Sequence, residues 1–333
     1  MSKYTAILDL DWCKYTAAAA GEKRNILVVH KKTGDEFTFK TRTDFYGRKK
    51  SRDEGWIGEQ LKKGKDICVD DFTITDVQVP EPIENVLHTA KSMVESALYN
   101  LGTDKYKGFV GKGESFRVER STLLKYKSNR AELIKPLYLN EVSEYLIKKF
   151  NAEVVTSIEN DDAVVMTAYK QPNNVVVGCD KDFYGCPIKF FNVNRPSEGI
   201  INCDKFGKLW RDDKGKVRGV GRQFLLFQTC SNDKSDNYAA NCFSEIKWAE
   251  VSAYEALKDA ANDKEAWLAM EGVFKHLYPE PKTVQGWRGH DITIDWQYVM
   301  NECFDMARML RYDEDIVVAS DVLNKFKEVN YDS

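Results

Sequence analysis

Three short apolar runs in this 333-residue chain end on carboxylates, and that pattern narrows the folds open to it. The runs are AILDLD, VVTSIENDDAVV and NVVVGCDKD. Short β-branched runs of this kind read as buried strands. Acids at their ends converge at one edge of a sheet. A fourth group lies further on, in CSNDKSDNY. Together the groups hold Asp9 and Asp11; Glu159, Asp161 and Asp162; Asp180 and Asp182; Asp233 and Asp236. Such a cluster repels itself unless divalent cations neutralise it. Two Mg²⁺ held about 4 Å apart are the usual device for in-line attack on a phosphodiester. The acids alone therefore point to a metal-dependent nuclease.

The other possible ligands narrow the metal. Eight cysteines form no C-x-x-C pair, and the four histidines have no metal-binding spacing. A structural zinc site is excluded, which leaves a hard, oxygen-ligated ion, Mg²⁺ or Mn²⁺. No apolar run approaches a membrane span. The segment MSKYTAILDLDW meets charge too early for a signal peptide, so the expected location is a cytoplasm, its own or a host's.

Net charge is −3, but the cations are unevenly spread. Residues 40–65 carry nine lysines and arginines, interleaved with Phe45, Tyr46 and Trp56, and residues 112–130 carry six more. Basic segments beside an acidic metal pocket suit a phosphate backbone. Such runs also occur as plain solvated faces, and for 40–65 the two readings stay even.

Along the chain, Ala6–Asp11 reads as a strand, with Asp9 and Asp11 on one face. Residues 22–80 read as a polar insertion, a hairpin plus loop, ended by Pro80 and Pro82. A helix starts at Ile83 and stops at Gly102. Gly108–Gly111 is a strand, Val142–Phe150 marks a helix, Glu153–Thr156 a strand, Asp162–Tyr169 a helix, and Val175–Cys179 and Phe190–Val193 strands. Strand, helix, strand in alternation predicts α/β, mainly a parallel sheet flanked by helices. Residues 199–221 look like a hairpin and loops. From Arg222 helical spacing dominates, over 222–229, 243–260, 264–278 and 296–311.

Each acid group also has an ordinary explanation. Asp9 and Asp11 could be a strand end facing water. Glu159, Asp161 and Asp162 open a helix, where capping and the helix dipole favour acids. Asp233 and Asp236 suit Asx turns. Asp180 and Asp182 follow a strand end, where α/β ligand sites form. In YKSNR, Lys127 and Arg130 fall on one side of a helix, where they could hold a scissile phosphate, and Tyr126 could stack on a base.

The order DLDW, YKSNR, ENDD, CDKDF, NDKSDNY is similar to the 5′ nuclease superfamily, which includes flap endonucleases. It looks closest to phage-encoded 5′→3′ exonucleases and ribonuclease H enzymes. The resemblance covers residues 4–20 and 105–315 and leaves 22–104 uncovered. It implies a PIN-like α/β core over 1–222, with the insertion at 22–80 and a helical arch around 112–135. A C-terminal helical, DNA-binding region over 223–333 follows. It implies two Mg²⁺, with Mn²⁺ as a substitute, held by Asp9, Glu159, Asp161, Asp162, Asp180, Asp182, Asp233 and Asp236. Asp9, Asp180, Lys127 and Arg130 would be catalytic. Arg117, Arg120, Tyr126, Lys127 and Arg130 would contact nucleic acid. The implied substrate is DNA with a 5′ end or flap, or an RNA–DNA hybrid, cut by a monomer during phage replication. Two departures stand out. The family's aspartate just past the second strand is missing from VGKGESFR, where Lys112 sits and Glu114 is the acid at hand. The Gly-rich, K⁺-binding helix–turn–helix is absent from 236–260. These departures keep open a catalytically impaired nucleic-acid-binding protein, or a PIN-type ribonuclease.

Overall fold

In the computed structural model, which describes residues 3–131 and 133–328, the first apolar run forms β1 (Thr5–Asp9) and passes at once into α1 (Asp11–Ala20). The strand expected to reach Asp11 ends at Asp9. The Asp11 backbone N–H donates to Asp9 Oδ1 at 3.1 Å, so the first acid caps the turn into the helix. Asp9 and Asp11 therefore do not share a strand face.

Next come β2 (Glu22–His30), β3 (Glu36–Phe39), α2 (Arg42–Tyr46), α3 (Trp56–Lys62) and β4 (Phe72–Pro80). The three strands form an antiparallel sheet in the order β3-β2-β4. Ile26, Val28, Phe45, Ile57 and Phe72 are buried beneath it, with Phe37, Phe39, Tyr46 and Trp56 packed against them. The expected hairpin and loop is thus a small domain with its own core. Its aromatics are committed to that core rather than to a basic, base-stacking surface. Packing groups Lys14–Ser92 with Lys135–Glu144 as one unit.

The other unit comprises Met1–Cys13, Met93–Ile134 and Tyr145–Ser333. In chain order α4 (Ile83–Leu101) leads to β5 (Tyr106–Gly111) and the single-turn α5 (Arg117–Arg120). Then follow α6 (Leu139–Phe150), β6 (Glu153–Val155), α7 (Asn160–Tyr169), β7 (Asn174–Gly178), β8 (Lys189–Asn192) and β9 (Ile200–Asn202). Gly102, at φ 71°, stops α4 as its sequence suggests.

The six-stranded sheet runs β6-β5-β1-β7-β8-β9. All pairs are parallel except β8 with β9. The α/β expectation of a mainly parallel sheet flanked by helices holds. Its order reverses at β1: the chain builds outward through β5 and β6, then returns to build through β7. Ligand sites of open α/β sheets form at the carboxyl ends of strands beside such a reversal. Ile7, Phe109, Val164, Val165, Val176, Phe183 and Phe190 pack the sheet core.

The C-terminal half contains β10 (Lys208–Arg211), β11 (Val217–Val220), α8 (Arg222–Cys230), β12 (Asn232–Asp233) and β13 (Tyr238–Ala239). It continues with α9 (Glu250–Leu257), α10 (Asp263–Leu277), β14 (Lys282–Gln285), β15 (Asp291–Ile294), α11 (Trp296–Ala307) and α12 (Ala319–Glu328). Leu226, Phe227, Met270, Phe274, Val299, Met300 and Phe304 form its core, which Leu123 and Tyr126 also enter. The predicted helix over 243–260 is confined to α9.

Between Lys112 and Lys135 the described residues contain only α5 and a 3₁₀ turn at Ser128–Arg130 as helical structure. Lys127 sits in the left-handed region at φ 55°, and its N–H donates to the Asp236 carbonyl at 2.9 Å. Lys127 and Arg130 therefore do not lie on one side of a helix. The turn is pinned to the loop carrying Asp236 instead.

Candidate metal centre

Strand ends β1 and β7 and the start of α7 deliver the first set of acids. Asp9 is 4 % exposed at the end of β1. Its Oδ1 accepts the Asn160 Nδ2–H at 2.8 Å. Burial and the Asp11 and Asp180 charges push the Asp9 carboxyl up to about 7, and the hydrogen bonds from the Asp11 N–H and Asn160 offset them only in part. Asp161, in the first turn of α7, is pushed well above the carboxylate range by burial and by Asp9 and Asp180. Carboxylates from three elements thus come together, and the Asp180 charge disfavours ionisation of both Asp9 and Asp161.

The second set adjoins the first through Asp180. Burial and Asp180 raise Asp182 strongly, with Asp236 and Asp233 adding to the effect. Gln228 Nε2, from α8, donates to Asp182 Oδ1. Burial raises Asp233, but Lys181 Nζ at 2.7 Å and the Ser235 and Asp236 N–H groups outweigh it and leave Asp233 lowered. Asp236 is raised, chiefly by burial, although Lys127 and Arg130 oppose the shift.

Cations line one side of this set. Lys127 Nζ ion-pairs with Glu159 and lies 3.8 Å from Asp236 Oδ1. Arg130 Nη2 lies 2.8 Å from the same Asp236 oxygen. The Tyr126 hydroxyl donates to Asp236 Oδ2 at 3.0 Å and stands 3.2 Å from Glu159 Oε2. Burial raises Glu159, but Arg117 and Lys127 outweigh it and hold the acid below its ordinary range.

The structure thus brings Asp9, Glu159, Asp161, Asp180, Asp182, Asp233 and Asp236 into one connected group. Four expected residues stand differently. Asp162 is fully buried, its carboxylate taken by Arg117 and by the Leu310 N–H at 2.8 Å. Arg117, expected on nucleic acid, is 2 % exposed and spent on Asp162, Glu159 and the Arg308 carbonyl. Tyr126, expected to stack on a base, keeps its ring in the C-terminal core and offers only its hydroxyl. Glu114 is exposed on the loop after β5. Arg120 remains half-exposed, 3.2 Å from Asp305. Sequence reasoning passed over Asn160, Gln228 and Lys181. Asn160 lies inside the ENDD motif, where attention falls on the acids.

The donor set suits a hard divalent cation: many carboxylate oxygens, no imidazole or thiolate among them, and charges that burial leaves mutually unfavourable. Among the described residues no three side chains already close around one point as a finished ligand cage. By their charge effects the acids fall into two adjoining sets, Asp9 and Asp161 with Asp180, and Asp182 with Asp180, Asp233 and Asp236.

These features define the class of site: a multi-carboxylate centre at the reversal of a mainly parallel sheet, edged by lysine and arginine. No family model matches the sequence, and no curated protein matches it. Solved structures do match. The chain is similar to the T5 D15 protein co-crystallised with metal ions, at 15 % identity and TM-score 0.40, over 73 % of this chain and 91 % of that one. It is similar to a lysine-to-alanine mutant of T5 5′-exonuclease at 15 % identity and TM-score 0.38, over 73 % and 90 %. A third structure is a bacteriophage T5 D15 flap endonuclease variant in a pseudo-enzyme-product complex with DNA and metal ions. It matches at 14 % identity and TM-score 0.38, over 74 % and 91 %. Among the described residues no helix is long and apolar enough to cross a membrane.

Proposed function

We propose that this chain is a divalent-metal-dependent nuclease that hydrolyses phosphodiester bonds of DNA from a 5′ end, with 5′-flap cleavage and ribonuclease H activity in the same site. The observation that carries the reading is the convergence of Asp9 from the end of β1, Asp161 from the start of α7, and Asp180 and Asp182 from the turn after β7, where neighbouring acids disfavour the ionisation of Asp9, Asp161 and Asp182. A solvated acidic surface would not leave Asp9 only 4 % exposed. Divalent ions bound there, Mg²⁺ or Mn²⁺, would supply Lewis acidity and an activated nucleophile.

The chain's own groups do the rest. Glu159 and Asp236 hold Lys127 and Arg130 at the edge of the acids, where both can meet a phosphate as it gains charge. The Tyr126 hydroxyl fixes Glu159 and Asp236 relative to each other. Gln228 and Lys181 orient Asp182 and Asp233.

Incubation of 5′-labelled duplex, flap and RNA–DNA hybrid substrates with Mg²⁺ tests the reading. Release of short 5′ products, lost in Asp180→Asn, is expected. Absence of cleavage, or equal cleavage by Asp180→Asn, sinks it. One observation favours a second reading, a catalytically impaired DNA-binding protein: β5 ends without an acid of its own, and Glu114 stands apart. In that case DNA binding persists without Mg²⁺ and no product forms.

A further inference from the structure

We infer that Asp11 and Asn160 complete the oxygen donor set of the cation pocket at Asp9, with Asp11 supplying the acid that strand β5 does not. The inference rests on the metal-dependent reading above and extends it to two residues outside the acid pattern.

Asp11 reaches the end of β5 from the neighbouring segment. Its Oδ1 accepts the Gly111 N–H at 3.1 Å. A Cβ placed on Gly111 would lie 2.8 Å from Asp11 Oδ2 and 3.2 Å from Asn160 Cβ. A side chain at Gly111 would have to displace the Asp11 carboxylate, which lies directly against the strand end. From the other side, Asp9 Oδ2 lies 3.4 Å from a Cβ built on Gly178, at the end of β7. Asp9 and Asp11 therefore fill the ends of three adjacent strands with carboxylate oxygen.

Asn160 is the independent observation. It is 5 % exposed. Its Nδ2 faces two acceptors, Asp9 Oδ1 at 2.8 Å and the Phe109 carbonyl at 3.3 Å. Exchanging the amide's oxygen and nitrogen would set oxygen against both, so the hydrogen-bond network fixes the orientation. Oδ1 is then buried with no hydrogen-bond partner. Leaving such an oxygen unmet carries the full cost of its lost hydration. A helix-start role for Asp11 would account for an acid in the first turn of α1, but it gives the Asn160 oxygen nothing. A hard cation does, since amide and carboxylate oxygens are its ordinary ligands.

Mn²⁺ binding to the full-length chain, followed by electron paramagnetic resonance and calorimetry without DNA, tests this. Asp11→Asn and Asn160→Leu are expected to weaken Mn²⁺ binding at the Asp9 pocket by about 10–100-fold. Circular dichroism spectra in EDTA should stay unchanged. Gly111→Ala serves as a second route, since it keeps both side chains but displaces the Asp11 carboxylate, and it too should weaken binding. Wild-type affinity in all three variants overturns the inference while leaving the nuclease reading intact. Absence of Mn²⁺ binding by the wild type, or undiminished binding by Asp9→Asn, overturns both.

Discussion

Arg117 and Asp162 form a bidentate ion pair sealed from solvent, Nη1 to Oδ2 at 2.7 Å and Nη2 to Oδ1 at 2.9 Å. Nη1 also reaches Glu159, and Nη2 the Arg308 carbonyl, so one guanidinium ties the start of α7 to the segment after α11. Removing it strands a buried carboxylate. Arg117→Ala is expected to lower stability by about 3–5 kcal/mol in urea unfolding. Arg117→Lys should recover little of the loss, because an ammonium cannot span both oxygens and the carbonyl. A variant as stable as wild type would show that the pair is dispensable.

The acids also set a pH dependence. Asp9 ionises near 3.8 when unfolded and at about 7 when folded. Above 3.8 the unfolded chain therefore loses this proton while the folded chain keeps it. The stability from the raised carboxyl is fully present below 3.8 and is lost as pH rises through 7. In EDTA, thermal midpoints should fall across that window, and Asp9→Asn should flatten the fall. The gain from the substitution at pH 8 is on the order of a few kcal/mol. Added Mg²⁺ should raise the wild-type midpoint most at the alkaline end. Parallel curves for wild type and Asp9→Asn would refute the assignment.

Tyr126 separates packing from hydrogen bonding. Tyr126→Phe keeps the buried ring and removes only the hydroxyl shared by Glu159 and Asp236, at a cost of about 1.5–3 kcal/mol. Tyr126→Ala also empties a core position and should cost about 3–5 kcal/mol more than a surface change. If Phe and Ala unfold at the same denaturant concentration, the ring contributes nothing and the core placement is wrong.

Lys127 is predicted to act on turnover rather than on binding. Its ammonium is held between Glu159 and Asp236, and although burial lowers it, the charges of those two acids outweigh the burial and keep it protonated. Single-turnover cleavage by Lys127→Ala should slow by about 100-fold or more. DNA affinity, measured by fluorescence anisotropy, should change far less. Equal losses in rate and affinity would reduce Lys127 to a general phosphate contact.

The sheet and its acids could be read from the chain because β1 and β7 are short, mainly apolar runs with carboxylates at or just past their ends. β7, Asn174–Gly178, is the clearest case. The small antiparallel unit could not be read so easily. β3 is four residues long and half-exposed, and the aromatics that fill its core stand among lysines in the sequence. The hairpin of β14 and β15 escaped for the same reason, with four residues per strand and no continuous apolar run. At the site, spacing identified the acids but not which cations they consume. Arg117 and Lys127 look alike as residues in a basic stretch. The first is buried by Asp162 and the second stands 22 % exposed at the edge of the acids. Only the tertiary fold decides between them, because the partners lie 45 and 32 residues away.

The position of β1 has a consequence for synthesis. The first strand made is the one placed between β5 and β7, with Leu8 opposite both Gly108 and Val177. At 5–20 residues per second, roughly 10–30 seconds separate the emergence of Asp9 from that of Asp180. Throughout that interval a ribosome-bound chain holds an apolar strand without its second neighbour and an acid without its counterparts. The acids of β1, α7, the turn after β7 and the Asp233–Asp236 loop are therefore all present only once that loop has left the ribosome, and a shorter product of translation holds an incomplete group.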